Sequence, residues 1–127
     1  MEDLIRIGRI SSINYKDGTA KVVYNDKDDM VTGELPFLAN EYMMPKADDL
    51  VLVLHLKKGR SKGVIIGKIY SDQLRPQING KDKYFKALTE KTNLKAENGK
   101  LTIEADDIIF NSSDGTITLA EIIRRIK

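Results

Sequence analysis

Residues 93–119, NLKAENGKLTIEADDIIFNSSDGTITL, constrain this chain more than any other stretch. They read as short apolar–polar alternations separated by turn residues, the pattern of strands with one apolar face. Leu94 and Ala96 point one way, Asn98-Gly99 turns the chain, and Leu101, Ile103 and Ala105 form the next run. Asp106-Asp107 shifts the phase by one. Ile108 and Phe110 follow, then a turn over 111–115, then Ile117 and Leu119. Thr102, Glu104, Thr116 and Thr118 take the outward positions. A sheet with so little apolar surface does not stand alone in water. At ~25 cal/mol per Å² its burial falls short of the entropy lost on ordering the chain. Something must cover that face. Either the strip folds back on the rest of the chain, or identical strips from several chains wrap around a common axis. The composition does not choose between them.

The preceding part reads as an all-β domain. A first strand is predicted over 4–14, and Lys16-Asp17-Gly18 is a hairpin turn, since Gly tolerates positive φ and Asp bonds its own backbone. The next strand, 19–25, carries Ala20, Val22 and Tyr24 on one face; a third, 30–38, carries Val31, Leu35 and Phe37, with Pro36 marking an edge or an end. Leu50–Leu56 is a continuous apolar run, read as a central strand buried on both faces. After the loop 57–63, Val64–Tyr70 returns. About five short strands in neighbouring antiparallel steps suggest a small closed barrel of the OB type. Residues 72–92 are polar and turn-rich and read as a linker, in which Tyr84–Leu88 is either a short strand or one helical turn. Leu119, Ile122, Ile123 and Ile126 fall at helical spacing, so 120–127 is a short amphipathic helix whose apolar face also needs a partner.

Composition removes several functions. The chain has 127 residues, no cysteine and a net charge of +2, with the charges spread evenly. Disulfide and thiolate chemistry are therefore excluded, and no strongly basic body is present to grip a phosphate backbone. Met1 is followed by Glu2-Asp3, so no secretory signal peptide is expected, and no apolar run approaches the length of a membrane helix. Asn111-Ser112-Ser113 matches a glycosylation sequon and reads as a turn.

The only histidine, His55, lies inside the most apolar strand and reads as a satisfied imidazole rather than a base. Asp48-Asp49 and Asp106-Asp107 are sequence neighbours, whose side chains diverge on a strand and form no carboxylate dyad. The loop Asp26-Lys27-Asp28-Asp29 lacks the Gly and Glu of a calcium loop. Lys57-Lys58-Gly59-Arg60-Ser61-Lys62-Gly63 lacks the residue order and following helix of a phosphate loop. No enzymatic activity, cofactor or metal is expected.

The order of motifs carries a resemblance. Gly8-Arg9-Ile10 is followed by a hairpin, then Pro45-x-x-Asp48-Asp49-x-Val51-x-Val53, another hairpin, and Gly63-Val64-Ile65-Ile66-Gly67-Lys68-Ile69-Tyr70. This resembles the N-terminal OB domain of the phage baseplate assembly protein V family, the central spikes of contractile tails, and the related spikes of type VI secretion and tail-like bacteriocins. The family motif usually has Gly where Asp48 stands, and Asp tolerates the left-handed geometry of such a turn.

The resemblance implies a five-stranded OB barrel over 1–71, followed over 93–119 by a brief version of an intertwined trimeric β-helix, the needle. It implies that Leu94, Leu101, Ile103, Ile108, Phe110, Ile117, Leu119 and Ile122 fill the trimer interface. The implied protein is a structural homotrimer in the baseplate of a virion or tail-like particle, assembled in the host bacterial cytoplasm. Its partners are the tail tube or hub and other baseplate proteins, with transient contact to the target envelope and no nucleic acid. There is no lysozyme domain and no His-x-His pair for a tip iron, which points to a separate tip protein at the C-terminal end. The alternative is a monomeric OB module that binds single-stranded nucleic acid through Lys57, Lys58, Arg60 and Lys62.

Overall fold

A computed structural model describes residues 4–56 and 62–127. The chain is mostly β-strand with one short C-terminal helix, and it divides into two compact units, Met1–Pro76 and Gln77–Lys127.

The first unit holds β1 (Ile5–Asn14), β2 (Thr19–Tyr24), β3 (Met30–Val31), β4 (Leu35–Pro36), β5 (Leu50–His55) and β6 (Gly63–Lys68). The sheet runs β3-β2-β1-β5-β6, with β4 also paired to β2. The predicted hairpin turn forms: Gly18 has φ 68°, and the Asn14 carboxamide oxygen accepts from the Asp17 N–H at 3.1 Å. Alternation then places Ile10, Ala20, Val22, Tyr24, Leu35, Val51, Val53 and Ile65 in one buried core. Gly8 is required where β1 runs beside β2, since a Cβ there would lie 2.5 Å from Val22 Cγ1 and 2.7 Å from the Tyr24 ring.

Three expectations need correction. The predicted third strand is two short pieces, β3 and β4, and the closed barrel is not formed among the described residues. Between the sheet's two sides there is one isolated parallel bridge, Phe37 to Ile65. Strand β5 is buried on one face, not two. Val51, Val53 and His55 are buried, whereas Leu54 and Leu56 are exposed.

The turn into β5 is as the sequence suggested. Asp48 has φ 71°; its N–H donates to Ile10 O at 2.8 Å, and its carbonyl accepts from Arg9 Nη1 at 3.0 Å. Asp49 caps the same turn by accepting from the Lys46 N–H at 2.8 Å.

The second unit holds β7 (Tyr84–Ala87), β8 (Asn93–Glu97), β9 (Lys100–Glu104), β10 (Ile109–Ser112), β11 (Gly115–Thr118) and α1 (Leu119–Ile126). Strands β7-β8-β9 form one antiparallel sheet and β10-β11 a separate hairpin. Strand β7 lies inside the span read as a linker, and it pairs with β8 from Tyr84↔Ala96 to Ala87↔Asn93. Asn98 and Gly99 have φ 54° and 74°, the paired left-handed residues of a tight hairpin. No residue of 77–127 is buried.

Candidate assembly interface

The register of the second unit sorts its side chains onto faces. Leu94 lies opposite Ile103 and Ala96 opposite Leu101; Tyr84 pairs with Ala96 and so joins the same face. Directly opposed residues of an antiparallel pair share a face, so one side of this sheet carries Tyr84, Leu94, Ala96, Leu101 and Ile103, together with Lys86 opposite Leu94. Leu101 is 68% exposed. The other side is polar apart from Phe85, which pairs with Lys95: Glu97 accepts from Lys83 at 3.3 Å and Lys95 at 3.4 Å, and those hydrogen bonds, from Lys83 first, hold its carboxyl below the usual range.

In the hairpin, Phe110 is paired with Ile117, and Phe110 is 51% exposed. Ile108 precedes β10, where its carbonyl accepts from the Leu119 N–H at 2.8 Å. Leu119 and Ile122 lie on α1. The structure thus brings Leu94, Leu101 and Ile103 together on one sheet, Phe110 and Ile117 on a hairpin face, and Ile108 beside Leu119 at the helix start. It does not join the two sheets through strand pairing.

Two features escaped the sequence reading. Ile109 pairs with Thr118 on the face assigned to outward polar residues, and it is 64% exposed. The phase shift at Asp106-Asp107 was legible, but a doublet of Ile gives no sign of which member faces in. The second feature is the start of α1. Thr118 Oγ1 accepts from the Glu121 N–H at 3.2 Å, an N-cap, and donates to the Glu121 carboxylate at 3.3 Å. Asp107 Oδ1 accepts from the N–H groups of Ile108 and Ala120. Thr118-x-x-Glu121 was the available signal.

The strongest competing site is His55, and its groups are already used. Its Nε2 lies 2.6 Å from the Tyr24 hydroxyl and its Nδ1 3.1 Å from Lys62 O. A carbonyl can only accept, so Nδ1 carries the proton and Nε2 accepts from the phenol. Both rings are buried. Burial pushes the Tyr24 phenol up to about 12 against the opposing pull of Arg6, whose guanidinium carbon is 4.5 Å from the ring centre. This is a pin through the core, closed to substrate. Among the described residues no cluster of His, Asp or Glu is placed to hold a metal ion, and no helix is long and apolar enough to cross a membrane. Of the basic hairpin tip only Lys62 is described; Lys57, Lys58 and Arg60 lie outside the described residues.

No protein-family model matches the chain, and no curated protein gives a match.

Proposed function

We propose that the chain is the central spike of a contractile phage tail or tail-like particle. It works as a homotrimer whose first unit is an OB-type barrel and whose second unit is a short intertwined β-needle. The observation that carries this reading is the second unit itself. Its strands, tight turns and helix cap are regular, Leu94, Leu101 and Ile103 share one sheet face, Phe110 and Ile117 share one hairpin face, and nothing in it is buried. Strand pairing can fix a register but cannot replace the missing cover. Two sister chains with the same faces supply it, with Leu94, Leu101, Ile103, Ile108, Phe110, Ile117, Leu119 and Ile122 turned inward.

The bridge from Phe37 to Ile65 supports the barrel reading, because it runs from the β4 segment to the far edge strand, the join that closure requires. The left-handed Asp48 supports the motif resemblance, because it occupies the position where the family has Gly.

The function on this reading is mechanical. Braided strands share hydrogen bonds between chains, so one cannot unravel without unwinding all three. Axial force from sheath contraction then passes down the needle into the envelope. The first units meet the tail tube, and a separate protein caps the C-terminal end.

Static light scattering tests the trimer. A native mass three times the 14.3 kDa of one chain is expected. A mass of one chain, with the strands of the second unit still formed, overturns the reading.

A further inference from the structure

The sequence holds two Asn-Gly pairs, Asn79-Gly80 and Asn98-Gly99. Such a pair can modify itself. The backbone nitrogen of the glycine, having lost its proton, attacks the side-chain carbonyl carbon of the asparagine. A C–N bond forms there, the bond to the side-chain nitrogen breaks, and that nitrogen takes up a proton and leaves as ammonia. The five-membered succinimide then adds water at either of its carbonyls, giving aspartate or isoaspartate. Water is the one co-reactant, and nothing is oxidised or reduced. Glycine favours the attack because no side chain shields its nitrogen.

The two pairs share a motif and differ in geometry. Ring closure needs the glycine nitrogen on the same side as the asparagine Cβ. Asn98 is left-handed, with φ 54°, and in that conformation the following nitrogen lies opposite Cβ. The turn is also clamped, because Glu97 and Lys100 pair across it. Turning the Asn98 peptide into line would open the end of the hairpin. Asn79 lies outside every strand and is not left-handed. Asn79 and Gly80 are both exposed, and among the described residues no hydrogen bond holds either one. Lys83 adds a charge. Its ammonium, shared with Glu97 at 3.3 Å, comes within 3.5 Å of the point where a Cβ on Gly80 would sit. A cation there favours the deprotonated glycine nitrogen that attacks.

We propose that Asn79 is a site of spontaneous deamidation and isoaspartate formation, and that Asn98, with the same motif, is protected by its turn. The product places a new negative charge before Lys81-Asp82-Lys83. In its isoaspartyl form it also lengthens the main chain by a methylene just ahead of β7. The chemistry takes place within one chain and does not need the trimer.

Full-length chain is incubated in warm neutral buffer and digested with trypsin at intervals. Trypsin spares the Arg75–Pro76 bond, so it leaves Asn79 in the peptide 69–81 and Asn98 in 96–100, and mass spectrometry reads each one separately. Asn79 is expected to exchange its amide for an acid roughly tenfold faster than Asn98 or more, since attack at Asn98 waits for the turn to open. In urea, where both conformations are lost, the two rates should converge. Equal rates in the native chain, or a faster Asn98, overturn the proposal. A native difference that persists unchanged in urea overturns it as well, because the selectivity then comes from neighbouring residues and not from the turn.

Discussion

Val22 in β2 and Ile103 in β9 hold comparable places. Each lies inside the second strand of an antiparallel hairpin closed by a tight turn with a left-handed Gly, Gly18 in one case and Gly99 in the other. Yet Val22 is fully buried and Ile103 is 52% exposed. Local pattern is therefore not what separates the two units. In the first, β4 pairs with β2 and sets Leu35 beside Ala20, and Ile65, bridged to Phe37, joins Val22 and Tyr24 in the same core. In the second, no strand returns across the face of Leu94, Leu101 and Ile103. Alternation and turns set register and facing; only a second layer turns facing into burial. The second unit is a fold with one layer supplied, which is why its missing layer is assigned to sister chains.

The sharpest way to break this comparison is Phe110→Asp. In an isolated chain the side chain is half exposed, so the substitution should cost well under 1 kcal/mol. In a trimer three carboxylates would be forced into one apolar contact, at ~3 kcal/mol or more per chain. The expected result is loss of the trimer by analytical ultracentrifugation, with the first unit still folded by circular dichroism. A variant that stays trimeric removes Phe110 from the interface. Ile10→Ala should do the reverse. It opens a cavity in the fully buried core of the first unit and should lower its stability by ~2–5 kcal/mol in urea denaturation, while the native mass stays that of the trimer.

How much of this was readable beforehand follows the same division. Ala20, Val22 and Tyr24 were placed on one face by simple alternation, and all three are buried. The turns at Asp17-Gly18 and Asn98-Gly99 were legible because their φ values leave few residue choices. The run Leu50–Leu56 misled because periodicity cannot tell a strand buried on both faces from one whose outer side stays exposed, as Leu54 and Leu56 do. Strand β7 was left open because Tyr84–Ala87 has no alternation of its own and is defined by pairing with β8. For the candidate interface, the pairing of Leu94 with Ile103 and of Phe110 with Ile117 was readable from spacing. The exposure of Ile109 and the cap by Asp107 depend on how the chain leaves a turn, which spacing does not encode.

The Tyr24–His55 pin gives a pH test confined to the first unit. Burial raises the phenol from 10.0 to about 12. The folded state therefore holds a proton that the unfolded chain releases first. The stabilisation is fully present below pH 10 and is lost as pH rises through 12, by roughly 2–3 kcal/mol. Urea midpoints should fall across that range, and Tyr24→Phe should abolish that part of the slope. An unchanged slope in the variant would assign the alkaline loss to other groups.

The smallest effect concerns Asp48, where sequence and geometry meet at one φ. At 71° the backbone is in the left-handed region, which costs an ordinary L residue ~1–2 kcal/mol and Asp somewhat less. The hydrogen bonds to Ile10 and from Arg9 are made by its backbone, so replacing the side chain leaves both in place. Asp48→Gly relieves the strain but loosens the unfolded chain, and the two effects should nearly cancel, leaving a gain of ~0.5 kcal/mol at most. Asp48→Ala keeps a Cβ without a polar group that eases the geometry, and should lose ~1 kcal/mol. The two variants together isolate the backbone. Gly above and Ala below the parent in urea midpoint means the turn asks for a conformation and accepts Asp as a substitute. If both fall equally, the carboxylate itself holds the turn, and this position would no longer support the resemblance to a motif that places Gly there.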